Sequence, residues 1–196
     1  MRDDTLIVFT SDHGEGFGEH GLYLHANSFF SELVHVPLII AGPGITSGKR
    51  VTEPVSHVDL MPTLRELLGI DCLRGDARGR SFHSVLTGEG APASRRQYTV
   101  DARPEVGDAL IEGSHKLISR VSGEELLFDL ASDPGESRNL LEQQRDIAEA
   151  MRGHLHEIRV ENAERRKANL ELGNDQLLKD ASEATLEQLR AIGYVQ

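Results

Sequence analysis

The hydrophobic positions of this chain change their spacing as the chain proceeds, and each spacing predicts a different element. Near the start, Thr5-Leu6-Ile7-Val8-Phe9-Thr10 is a continuous apolar, β-branched run without alternation. Such a run reads as a strand buried on both faces, as in a parallel sheet beneath helices. A parallel strand needs partner strands and crossover helices. A second run, Val36 to Ile40, ends at Gly42-Pro43-Gly44, and between the two runs Ser11 to Gly21 forms a Gly-rich loop. Helical spacing follows at Leu60, Leu64, Leu67 and Leu68, with Asp59 as the expected N-cap and Gly69 as the stop. Residues 71–95 are rich in Gly, Arg and Ser and read as a surface loop.

From Tyr98 to Leu130 the apolar triplets are short. Ala109-Leu110-Ile111, Lys116-Leu117-Ile118 and Leu126-Leu127-Phe128 are separated by Gly-containing turns, which predicts an antiparallel meander. Asp133-Pro134-Gly135 ends it. Residues 139–172 then read as a helix with Leu140, Ile147, Met151, Leu155 and Ile158 on one stripe, and a short helix over Ser182 to Ile192 closes the chain. The expected organisation is an α/β segment over 1–95, an antiparallel subdomain over 96–136 and a helical tail over 137–196.

Composition narrows this little further. With 38% apolar and 27% charged residues the chain reads as globular, and a net charge of −11 argues against nucleic acid, which needs a basic face. No apolar run reaches the roughly 18 residues of a membrane span. Cys72 is the single cysteine, so no disulfide forms within the chain; it reads as a small buried residue or a free thiol.

The loop after the first strand carries the chemistry. Asp12 and His13 sit at the C-terminal end of a strand, the edge where open α/β sheets bind ligands. An adjacent carboxylate and imidazole can reach one divalent ion, and the hard Asp oxygen suits calcium, magnesium or manganese. Gly14 and Gly16 are expected to let the backbone turn sharply. Two ligands do not complete such a site; the alternative is that Asp12 caps a turn and His13 is solvated.

The wider pattern resembles the sulfatase family. Ser11-Asp12-His13-Gly14-Glu15 after a β-branched strand is followed by Gly18-Glu19-His20-Gly21, then His25 to Glu32, then Val36 to Ile40. Ser56 to Leu64 is similar to that family's later segment, and Leu126 to Leu130 with Asp133-Pro134-Gly135-Glu136 and Asn139-Leu140 resembles its LYDL…DPxExxNL signature. The ending Leu189 to Val195 is also of that kind. The resemblance implies part of an alkaline-phosphatase-like, mostly parallel sheet flanked by helices, followed by a small antiparallel sheet packed with helices.

It further implies roles. Asp12 and His13 map onto ligands of a divalent cation, usually calcium, with magnesium or manganese as substitutes. His25 maps onto the residue that contacts the sulfate or the leaving oxygen, where a histidine can act as general acid; the family often has His-Gly there, and this chain has His25-Ala26. His20 is expected to order the loop, and His57 to be structural. His35, His83, His115, His154 and His156 lack chemical context. Lys116 is weighed as an anion contact and expected instead to be a solvated strand lysine. Arg78 and Arg80 are expected in a solvated loop.

The family's nucleophile is a formylglycine made within Cys/Ser-x-Pro-x-Arg, and residues 1–196 contain no such segment. The two further acidic ligands of the family's early strand are also expected upstream, so the chain reads as the C-terminal half of a sulfuric ester hydrolase, inactive alone, with the N-terminal half as its partner. The expected substrate is a sulfate-ester small molecule or glycan. A phosphodiester or phosphonate hydrolase, or a phosphotransferase, of the same superfamily is the first alternative. A non-catalytic binding module built on the long helix is the second.

Overall fold

The computed structural model of the chain describes residues 4–25, 28–70, 79–90, 95–101 and 106–180, except for the side chains at 169 and 171–180. The elements are β1 (Ile7–Thr10), β2 (Gly16–Phe17), β3 (Tyr23–Leu24), α1 (Ser31–Val34), β4 (Leu38–Ala41), α2 (Leu60–Leu68), α3 (His83–Thr87), β5 (Gln97–Val100), β6 (Gly107–Glu112), β7 (His115–Arg120), β8 (Glu125–Asp129) and α4 (Arg145–Asp180). The chain forms two compact units, Met1–Met151 and Arg152–Gln196. Every described strand belongs to the first, and the described part of the second is the continuation of α4. Cys72, Arg78 and the expected helix at Ser182–Ile192 lie outside the described residues.

The meander stands where the apolar triplets placed it. β5, β6, β7 and β8 form one antiparallel sheet in sequence order, with an additional strand, β5, at its edge. Register puts Ala109 opposite Ile118 and Ile118 opposite Leu126, so these share a face; Leu110, Leu117 and Leu127 share the other. Both faces are covered, since Leu110, Leu117, Ile118 and Leu127 are fully buried. On one of them Ala109, Ile118 and Phe128 pack with Phe29, Phe30 and Val106 into the core cluster. The Phe30 and Phe128 rings lie 5.9 Å apart. The segment that leads into α1 therefore rests on the small sheet.

Four expectations need correction. First, β1 pairs with β4 antiparallel, Phe9 opposite Ile39 and Ile7 opposite Ala41. Its apolar run is not buried on both faces: Ile7, Phe9 and Ile39 are each more than half exposed, because strand burial on both sides takes two covering layers and the described residues cover one side. Second, Lys116 is no solvated lysine; its side chain is wholly buried, because β7 is inside a sheet covered on both faces. Third, the residue stretch 71–95 contains a helix, α3. Fourth, the buried stripe at the start of α4 runs through Ala148 and Met151 while Ile147 stays exposed.

Asp59 also works differently from a simple N-cap. It ends a short 3-10 turn, His57–Asp59, and forms a capping box with Ser56 rather than capping α2. Its Oδ2 accepts the Ser56 N–H at 2.9 Å, its Oδ1 accepts the Arg80 N–H at 2.8 Å, and Arg95 pairs with it. Gly69 ends α2 in the left-handed region, φ 61°, as a C-terminal stop should.

Candidate active site

The loop leaving β1 is tied to itself. Ser11 Oγ donates to the His13 carbonyl at 2.6 Å, and the His13 N–H donates to Asp12 Oδ1 at 3.0 Å. His13 Nδ1 lies 2.8 Å from the Gly14 carbonyl. A carbonyl only accepts, so Nδ1 carries the hydrogen, and in the neutral ring Nε2 presents a lone pair. That nitrogen is 3.8 Å from Asp12 Oδ2. Histidines that bind metals commonly donate their other ring N–H to a carbonyl in this way. Two ligands each about 2.4 Å from one ion lie at most about 4.8 Å apart, so the 3.8 Å gap fits a shared cation.

The electrostatics match the exposure. The His13 N–H, and then the His13 charge, hold the Asp12 carboxyl below its usual range. Above all the Gly14 carbonyl pushes His13 up, with Asp12 and Glu15 adding to it against partial desolvation. Asp12 stays ionised and outward-facing, with its side chain 88% exposed.

A hairpin brings the third predicted residue in. β2 and β3 pair antiparallel with Gly16 opposite Leu24, so the flanking Glu15 and His25 face each other. Glu15 Oε2 is 3.5 Å from His25 Nδ1. The His25 ring stands 4.8 Å from the His13 ring, tilted by 31°. Leu24, just before His25, has φ 67°, a conformation bulky residues avoid. Glu15 Oε1 is buried with no hydrogen-bond donor among the described residues. Sequence reasoning missed Glu15; its adjacency to the Asp-His pair was the available signal. Among the described residues no group of three or more His, Cys, Asp and Glu side chains is arranged to hold an ion. Asp12 and His13 thus fit a cation as part of its coordination, not all of it.

Behind this loop lies a set of polar contacts. His20 Nδ1 is 2.8 Å from Glu32 Oε1, and its Nε2 is 3.1 Å from the Gly135 carbonyl and 3.2 Å from that of Glu136. Its ring stacks on Phe30 with centroids 3.7 Å apart. Every one of these neighbours is an acceptor, and only the imidazolium donates from both nitrogens. Burial alone would push His20 down; the Glu32 hydrogen bond and charge, with those of Glu136, outweigh it and the net direction is up. A histidine raised in the folded state adds stability below the unfolded value near 6.5 and loses it as pH climbs through the folded value. The melting-temperature difference between wild type and His20→Gln is therefore expected to be larger at pH 6 than at pH 9. A difference that is flat or grows with pH contradicts the charged ring.

The deepest contact is Lys116 with Glu136. Both side chains are fully buried, with Nζ 2.7 Å from Oε1. Burial pushes the Lys116 ammonium down while Glu136 pulls it back. The Ser31 N–H donates to Glu136 Oε2 at 2.6 Å.

An α/β chain with an acid–imidazole loop at a strand end and a small antiparallel sheet beside it has the fold of the alkaline-phosphatase superfamily. The sulfatase family model matches residues 1–70. Choline-sulfatase of Rhizobium meliloti is 41% identical over 148 residues, which is 74% of this chain and 28% of that protein. The structure of a 2-O GAG sulfatase superposes with a TM-score of 0.65 at 27% identity, over 85% of this chain and 37% of its own. Phosphonate monoester hydrolase of Agrobacterium radiobacter does so with a TM-score of 0.62 at 29% identity, over 83% and 36%. The chain is a sulfatase-like protein of that superfamily. It spans about a third of the length of these relatives.

Proposed function

We propose that this chain contributes to the site of a sulfuric ester hydrolase, with Asp12 and His13 as two ligands of a divalent cation and His25 as the group that meets the leaving oxygen. The carrying observation is the gathering of these three side chains at the end of β1, with His13 and His25 rings 4.8 Å apart. A bound cation, calcium first and magnesium or manganese next, would draw charge from the sulfuryl oxygens. Asp12 supplies a hard, ionised oxygen and His13 a lone pair fixed by the Gly14 carbonyl. His25, 62% exposed and steered by Glu15, is placed to hand a proton outward.

The reading places the formylglycine nucleophile and the remaining acidic ligands in a further segment with Cys/Ser-x-Pro-x-Arg, which residues 1–196 do not contain. That segment, the N-terminal half of the same fold, is the partner the site needs. The proposed substrate is a sulfate ester of a small molecule or glycan, as the names of choline-sulfatase and the 2-O GAG sulfatase suggest. The purified 196-residue chain is expected to bind calcium weakly and to leave 4-nitrophenyl sulfate intact. Calorimetry should show the binding lost in His13→Ala, and turnover above the His13→Ala background would sink the dependence on another segment.

The likeness to a phosphonate monoester hydrolase supports a second reading, ester hydrolysis at phosphorus. The nucleophile separates the two. In-frame DNA upstream of the Met1 codon that encodes Cys/Ser-x-Pro-x-Arg, with turnover of sulfate over phosphonate esters by the joined product, favours the first; the reverse preference favours the second.

A further inference from the structure

We propose that Lys116 and Glu136 are positioning residues for the Asp12–His13 loop, acting through α1 and Gly14. The inference takes that loop as the site proposed above, but rests on contacts that hold whatever the loop binds.

The contacts form a continuous series. α1 has four residues, too few to persist by itself, so its place is set from outside. Phe29 and Phe30 just before it and Leu33 within it are buried. Its first backbone N–H, that of Ser31, has no partner within the helix and donates to Glu136 Oε2, a residue 105 positions away. The other carboxylate oxygen of Glu136 meets Lys116 Nζ at 2.7 Å, and this nitrogen lies 3.5 Å from Ser31 Oγ. Glu136 Oε1 finds no well-aligned hydrogen-bond donor among the described residues, so the ammonium is what compensates its burial. The far end of α1 then grips the loop. Leu33 O accepts the Gly14 N–H at 2.8 Å. A Cβ on Gly14 would come within 1.9 Å of the Glu32 carbonyl oxygen. Gly14 in turn offers its own carbonyl to His13 Nδ1. The Glu32 side chain, on the same helix, holds His20 and with it the far side of the loop.

The backbone of Glu136 points the same way. Its φ is 47°, in the left-handed region that glycine occupies more easily. A glycine would relax the backbone and lose both carboxylate contacts. Stability alone would be served by an apolar pair at 116 and 136; a charged pair that also captures the α1 N–H fixes one placement of the helix.

Native-state hydrogen exchange of the full chain, read by NMR, tests this without metal or substrate. In Glu136→Ala, which removes both carboxylate contacts, exchange at the Gly14 amide is expected to accelerate about tenfold or more relative to amides of β6 and β7. Ser31→Pro is the second variant, and it decides the matter should Glu136→Ala not fold. Proline is tolerated at the first position of a helix, Phe30 before it is already extended with ψ 159°, and only the N–H that Glu136 accepts and the Ser31 hydroxyl are lost. It should loosen Gly14 in the same way while Lys116 and Glu136 remain paired. Unchanged exchange at Gly14, or an equal acceleration in β6 and β7, overturns the proposal. Because no cation enters the measurement, a chain that binds none can still show the coupling, and a cation-binding chain with an indifferent Gly14 refutes the coupling alone.

Discussion

Lys116→Met is expected to cost about 3–5 kcal/mol of unfolding free energy, the usual penalty for stripping one partner from a buried ion pair. The Glu136 carboxylate would be left fully buried with Oε1 uncompensated. The double variant Lys116→Met, Glu136→Gln removes both charges and keeps an oxygen for the Ser31 N–H. It is expected to recover much of the loss, because the large cost of breaking a buried pair comes from the one charge left uncompensated, and here none is left. Urea unfolding of the two single variants and the double one gives the coupling directly. A single-variant cost below about 1 kcal/mol would place this pair among the weak surface ones, contrary to its burial.

Gly14→Ala is the second large effect expected. The new methyl would sit 1.9 Å from the Glu32 carbonyl oxygen and 3.0 Å from its carbon, both backbone atoms that cannot swing aside. Overpacking of this kind costs about 1–3 kcal/mol. The change should also act on the candidate site. Gly14 cannot back away from α1 without moving the carbonyl that fixes His13 Nδ1. Calcium binding measured by titration is therefore expected to weaken together with the melting temperature. A variant as stable as wild type would show that the loop and α1 do not approach so closely.

The small sheet and the candidate loop were legible in the sequence for different reasons. Apolar triplets between Gly turns give β6, β7 and β8 because a meander repeats one local rule. Asp12, His13 and His25 stood out through residue type and order, and the structure gathers them; the hairpin that does so, Gly16–Phe17 with Tyr23–Leu24, is too short to leave a periodic trace. Lys116 was misread because lysines are rarely buried, although its neighbours Leu117 and Ile118 lie in a strand buried throughout its middle. Gly14 was expected to serve a sharp turn, yet the structure shows no positive φ there; its lack of a side chain matters for close approach, which depends on a helix about twenty residues later. The partnership of Glu136 with Ser31 could not be read locally at all, since nothing near either residue announces the other.

The bonds from His20 to Gly135 and Glu136 span 115 and 116 positions, and this has a consequence for synthesis on the ribosome. At about 5–20 residues per second, roughly 6–23 s separate the appearance of His20 from that of its acceptors. Throughout that interval the nascent loop has its Asp and His but not the turn that holds it from behind. The contacts that hold the loop from behind must wait for the small sheet and the Asp133-Pro134-Gly135-Glu136 turn to emerge, so a ribosome stalled before residue 136 presents the Asp12–His13 loop without them.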